Sequence, residues 1–177
     1  LNVTGVTFGS TLTTTSDYVN VTDSAVSSNA QFTSDYVRLY DSEIHDTLYG
    51  TIGELYLEDM DIREGEWYTL AAGLLEMVNS TIVDGSSGSY TIRVTSSDDI
   101  LLTNSTIDLE CSSNCGSTFT IDWNTTGDII LINSKIEVTQ YRTAKMEFEA
   151  GNISLTNSTL HAGTKYSSTG TTTVDSD

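Results

Sequence analysis

Residues 100–107 read ILLTNSTI, residues 129–136 read IILINSKI and residues 153–160 read ISLTNSTL. In each, apolar residues alternate with others, an Asn-Ser pair follows, and another apolar residue stands three positions after the Asn. Toward the N-terminus the same frame returns as LEMVNSTI at 75–82, LYLEDMDI at 55–62, VRLYDSEI at 37–44 and VNVTDSAV at 19–26. The Asx positions are Asp23, Asp41, Asp59, Asn79, Asn104, Asn133 and Asn157, spaced by 18, 18, 20, 25, 29 and 24 residues. Eighteen residues before Asp23 lies Gly5, with Leu1 and Val3 ahead of it and Phe8 behind; eighteen after Asn157 lies Asp175, preceded by Thr171 and Thr173. The frame predicts nine turns, the outer two degenerate.

Alternating apolar residues mark a strand with one buried face. The Asx-Ser pair marks a turn, and Val26, Ile44, Ile62, Ile82, Ile107, Ile136 and Leu160 mark a second short strand after it. A third alternating patch recurs at 90–94, 119–123 and 146–150. An 18-residue unit of this kind cannot bury its apolar face alone, but units stacked at ~4.8 Å build a continuous core. The expected fold is therefore all-β: a parallel β-solenoid of stacked β-arches, about nine rungs of 18 or more residues forming one domain over 1–177 with no capping element. A sandwich is the rival, but it has no need of the same turn in every unit.

In such a stack one sequence position becomes a column. Asn79, Asn104, Asn133 and Asn157 are expected to form a structural amide ladder. Asp23, Asp41 and Asp59 fill the same column, where stacked carboxylates repel. They turn outward, or one is kept protonated, or a hard cation such as Ca²⁺ sits among them. The plainer reading is that each bonds its own turn backbone. No other cofactor is expected. Cys111 and Cys115 lie in the longest repeat and fit a local disulfide, or one to another subunit.

The composition narrows the function. Seven Lys and Arg against 25 Asp and Glu leave a net charge of −18, which opposes nucleic acid and anionic lipid as partners. No apolar run approaches the ~20 residues of a membrane span, so membrane insertion is not expected. Two His and two Cys offer little to a transition metal or a nucleophilic triad. Seven Asn-x-Ser/Thr sequons, a first residue that is Leu rather than Met, and the Cys pair point to an extracellular setting. A ladder Asn is unsuited to carry a glycan, so Asn2, Asn20, Asn124 and Asn152 are the glycosylation candidates. For catalysis, Asp98-Asp99, Asp108 beside Glu137, and Asp122 are the acidic candidates. No Lys or Arg clusters with them at a fixed column, so no enzyme is expected.

A repeat that runs from the first residue to the last leaves open strand edges at both ends, which are templates for another chain. Leu1, Val3 and Phe8 at one end and Thr171, Thr173 and Val174 at the other are the expected assembly interface. Stacked β-arches with Asx-Ser turns, an acidic Ser/Thr-rich surface and uncapped ends resemble the amyloid-like sheath proteins of filamentous methanogenic archaea. The turn also resembles the repeat of archaeal surface β-helices. The resemblance implies subunits joined end to end and laterally into a cell-envelope assembly, with the chain itself as partner. The alternative is a carbohydrate-binding or carbohydrate-active β-helix at the cell surface.

Overall fold

The computed structural model describes residues 1–63, 70–84, 90–110, 118–140, 143–164 and 171–176. Among them there is no helix, and every strand pairing is parallel.

Each repeat supplies three strand segments. A lead strand precedes the Asx, as in Tyr18–Thr22, Ile100–Thr103, Ile129–Ile132 and Ile153–Thr156. A follow strand comes after it, as in Thr106–Glu110 and Lys135–Gln140. A return strand leads to the next repeat, as in Tyr90–Ser96 and Thr118–Thr125. The follow strands form an 8-stranded sheet; lead and return strands form a 13-stranded one. The two roles share a sheet because Ala30–Tyr40, Leu48–Glu58 and Leu70–Val78 each run through as return and then lead strand.

Where that long strand changes role, the backbones of neighbouring repeats approach closely. Gly53 sits there because an added Cβ would strike the carbonyl oxygen of Asp35.

Register is kept by position within the frame. Val3, Val21, Leu39, Leu57, Met77, Leu102, Leu131 and Leu155 follow one another across successive lead strands. Phe8, Val26, Ile44, Ile62, Ile82, Ile107, Ile136 and Leu160 do the same in the follow sheet. Period-2 alternation puts these columns on the inner face. The members between the first and last repeats are buried in one continuous core, which the return strands close with Phe32, Phe119, Ile121, Trp123 and Phe148. Trp123 and Phe148 meet edge to face, with centroids 5.4 Å apart.

One expectation is corrected. Asp175 does not open a ninth turn: it lies inside the return strand Thr171–Ser176, paired with Glu149. Thr171, Thr173 and Val174 are likewise in register with Lys145, Glu147 and Phe148. They are not the counterparts of Leu1, Val3 and Phe8, whose columns end at Ile153, Leu155 and Leu160. Eighteen residues separate equivalent positions only where the chain between follow and return strand is minimal, and after Leu160 it is not.

Candidate functional site

The turn is built on one backbone requirement. Asp23, Asp41, Asp59, Asn79, Asn104, Asn133 and Asn157 all have φ between 48° and 53°. This is the left-handed region, which Asn and Asp tolerate better than other Cβ-bearing residues and Gly enters freely. Gly5, at φ 65°, fills the same slot in the first repeat. The recurring Asx is therefore first a conformational choice.

Two ladders then run along the turn. On the outside, Asn104 Nδ2 donates to Asn79 Oδ1 at 3.2 Å, Asn133 to Asn104 at 3.2 Å, and Asn157 to Asn133 at 3.3 Å. These amides are exposed. On the inside, the serine after the Asx carries a second ladder that the sequence reading passed over. Ser80 N donates to Ser105 Oγ at 3.2 Å, Ser105 N to Ser134 Oγ at 3.1 Å, and Ser134 N to Ser158 Oγ at 3.0 Å. Each hydroxyl donates in turn to the carbonyl two residues back, as Ser105 Oγ does to Thr103 O at 2.9 Å. Ser24, Ser42, Ser80, Ser105 and Ser134 are buried, so these bonds satisfy backbone groups that water does not reach. Recurrence of Ser beside every Asx but Asp59 (followed by Met60) and Gly5 was the available signal.

At the N-terminal end the column holds Asp23, Asp41 and Asp59, which border a groove of about 510 Å³ together with Glu43 and Asp61. Two of its carboxylates already have side-chain partners: Glu43 Oε2 lies 2.9 Å from His45 Nε2, and Asp61 Oδ2 accepts from Arg63 Nε at 2.8 Å. Among the described residues no three Asp, Glu, His or Cys side chains converge as a metal-holding set. The three aspartates share a turn conformation and a groove, not a point.

The acidic pairs considered for catalysis resolve into separate contacts. Asp98 Oδ1 accepts from Asp99 N at 3.0 Å, and Asp99 Oδ1 accepts from Asp128 N at 2.8 Å, so both are bound into the corner before the lead strands. Asp122 pairs with Arg93 at 2.8 Å. Asp108 and Glu137 are direct neighbours in the follow sheet, and His161 follows Glu137. Burial pushes the Asp108 carboxyl up, against the pull of Lys135. The hydrogen bond and ion pair with Lys135 hold Glu137 below the usual carboxylate range, and Glu137 holds Lys135 up in return. Neither Asp108 nor Glu137 lines the groove beside the aspartate column.

Of the glycosylation candidates, Asn124 Nδ2 donates to Glu149 at 2.6 Å and Asn152 Nδ2 to Asp128 at 2.9 Å. Asn20 is half-buried, with an Oδ1 that has no partner. Asn2 is exposed. Cys111 and Cys115 lie outside the described residues.

At the two ends of the inward columns, burial differs from residue to residue. Leu1 is 47% exposed and Leu155 46%, while Val3, Phe8, Ile153 and Leu160 are partly buried against the core. Side-chain hydrogen bonds at the turn therefore build structure, and among the described residues the apolar columns of the lead and follow strands open in the first and last repeats. No family model, curated protein or solved structure matches the chain.

Proposed function

We propose that this protein is a β-solenoid building block of an extracellular, sheath-like cell-envelope assembly, and that copies join through the strand edges of the first and last coils. The eight strands of the follow sheet support eight coils in place of nine. The observation that carries the reading is the exposure of inward-facing columns at both ends. Continued in register, Val3 of one copy falls opposite Leu155 of the next, Leu1 opposite Ile153, and Phe8 opposite Leu160. Six half-covered apolar residues would cover one another, and the free N–H and C=O groups of both edges would pair.

Hydrogen-bond parity identifies those groups. Gly5 N donates to Thr22 O and Asn20 N to Leu1 O, so the odd residues of the first lead strand face inward along the stack. Asn2 and Thr4 face its free edge. In the last lead strand Thr156 O accepts from Asn133 N and Asn152 O from Ile129 N, which leaves Ile153, Leu155 and Asn157 on the free edge. The joining bond would run from Asn157 N to Thr4 O, as Asn133 N runs to Thr156 O.

A catalytic or carbohydrate-binding reading draws less support. Asp98, Asp99 and Asp122 are engaged in turn and ion-pair contacts. The exposed Tyr18 ring stacks on the half-buried Tyr36 ring at 4.9 Å, which covers one of the faces a sugar would use. The aspartate column is read as residues suited to the left-handed turn.

Proline at Thr4 and at Leu155 tests the proposal, since each removes an N–H that the chain does not use internally. Negative-stain images of the wild type are expected to contain long polymers, and the double variant to contain short particles with unchanged β-sheet circular dichroism. Polymers of normal length from the double variant would place the contacts on the sides of the coil and overturn end-to-end joining.

A further inference from the structure

The outer face of the lead strands divides into two unlike halves. Toward the N-terminus it carries Tyr36, Arg38, Glu54, Tyr56 and Glu58, with Arg38 and Glu58 paired at 2.7 Å. From Ile100–Thr103 onward the outward positions are Leu101 and Thr103, then Ile130 and Ile132, then Ser154 and Thr156. None of these is ionisable, in a chain whose net charge is −18. Leu101 and Ile130 are half-buried, and Ile132 is 39% exposed. One strand back Glu76 stands beside Leu101, with Leu74 and Val78 on either side of it, so a carboxylate bounds the patch there; the exposed amides of Asn104 and Asn133 form its rim. An outward strand face in water is ordinarily polar.

We propose that this neutral aliphatic face is a lateral contact with the same face of a second copy. The inference rests on the assembly reading and adds its sideways bond. Charge selects the occupant. Two copies at −18 repel wherever carboxylates meet, so an uncharged face is where they can approach at least cost. A cationic partner would be drawn to the acidic groove and follow sheet instead, and an anionic lipid surface would be repelled.

Geometry agrees. Parallel strands give each copy the same ~4.8 Å row spacing, so the rows Leu101–Ile130 and Thr103–Ile132 can interdigitate with their own kind at the ~10 Å separation of packed sheets.

The patch is small. Three strands of four residues cover on the order of 200 Å², against roughly 800 Å² per partner in a stable complex. One such contact is weak, but it recurs in every subunit of an end-joined polymer, where linked contacts reinforce one another. Lateral pairing should therefore follow polymerisation, not precede it.

The test compares wild type, Ile130→Glu with Ile132→Glu, and the control Ile130→Val with Ile132→Val. Two readouts apply: polymer width by electron microscopy, and sedimentation equilibrium of the Thr4→Pro, Leu155→Pro background at up to ~1 mM protein. Wild type and the valine control are expected to form paired or bundled polymers, and the glutamate variant single polymers of equal length. In the edge-blocked background a weak dimer is expected. It should tighten as NaCl rises to about 1 M, where residual repulsion is screened, and weaken at least roughly tenfold, about 1.4 kcal/mol, with the glutamates.

Bundling by the glutamate variant equal to wild type overturns the proposal. So does an edge-blocked protein that stays monomeric at every salt, which also covers occupancy of this face by some other molecule. Absence of polymers in the wild type would defeat the end-joining reading alone, and the sedimentation result would still decide this one.

Discussion

Asn133 Nδ2 donates to Asn104 Oδ1 at 3.2 Å although 29 residues separate the two in the chain. The pair is one step of a solvent-facing ladder whose members all hold left-handed backbone. Two properties of Asn are thus used at once, tolerance of positive φ and a side chain that both donates and accepts.

Substitution at Asn104 separates those properties. Asn104→Gly keeps the conformation and loses two exposed hydrogen bonds, for a cost of about 0.5–1.5 kcal/mol. Asn104→Ala loses the same bonds and adds a left-handed penalty of roughly 1 kcal/mol or more. Guanidinium unfolding should rank wild type above Gly above Ala. Equal stability of the two variants would mean that backbone strain plays no part.

The buried serine column is expected to matter more per bond. Ser105→Ala strands the N–H of Ser80 in a dry turn and removes the hydroxyl that Thr103 O accepts from, costing about 1–3 kcal/mol. Ser158→Ala, at a half-exposed position where water can replace the hydroxyl, should cost less than about 1 kcal/mol. A reversed order in denaturant midpoints would contradict the assignment of the load to burial.

Asp108 and Glu137 give opposite responses to pH. The carboxyl of Asp108 is raised by burial, so ionising it disfavours the folded state. That penalty is absent in acid, and develops as pH rises through the unfolded value toward the raised folded one. Asp108→Asn should therefore raise the melting temperature near pH 7 and have no effect near about pH 3. Glu137 is lowered by Lys135, and its stabilisation is present above the unfolded value and lost as pH falls through the folded one. Glu137→Gln should lower the melting temperature near neutrality, with the gap closing in acid. Calorimetry at the two pH values checks both, and shifts of the same sign would refute the picture.

Much of this architecture could be read from the sequence because stacking makes equivalent positions physically adjacent. The frame around Asn104 and Asn133 gave the lead and follow strands, the inward columns and the amide ladder. It did not give the serine ladder, because a Ser beside an Asx looks like ordinary turn chemistry until the neighbouring coil supplies a buried N–H. It misplaced Asp175, because a constant count of eighteen was carried past Leu160, where the chain between follow and return strand lengthens. Leu1, Val3 and Phe8 were legible as apolar residues in a degenerate first repeat. That their columns end at Ile153, Leu155 and Leu160 was not, since nothing in a linear frame says which repeat comes last in the stack.

The positive-φ turn also divides the molecule by tolerance to change. Between the Asx and the first follow-strand residue the count never varies: Asp23 to Ala25, Asn104 to Thr106 and Asn157 to Thr159 are each two steps. Between follow and return strands it runs from Val26 to Ala30, from Asp84 to Tyr90 and from Glu110 to Thr118. Large insertions and deletions are thereby channelled to the follow-to-return connection, the return-to-lead junction varies by one residue (Leu70 to Leu75 against Val94 to Ile100), and the Asx turn admits none. Lineages of such a protein can diversify the surface they display along a single seam without retuning the stack that carries it.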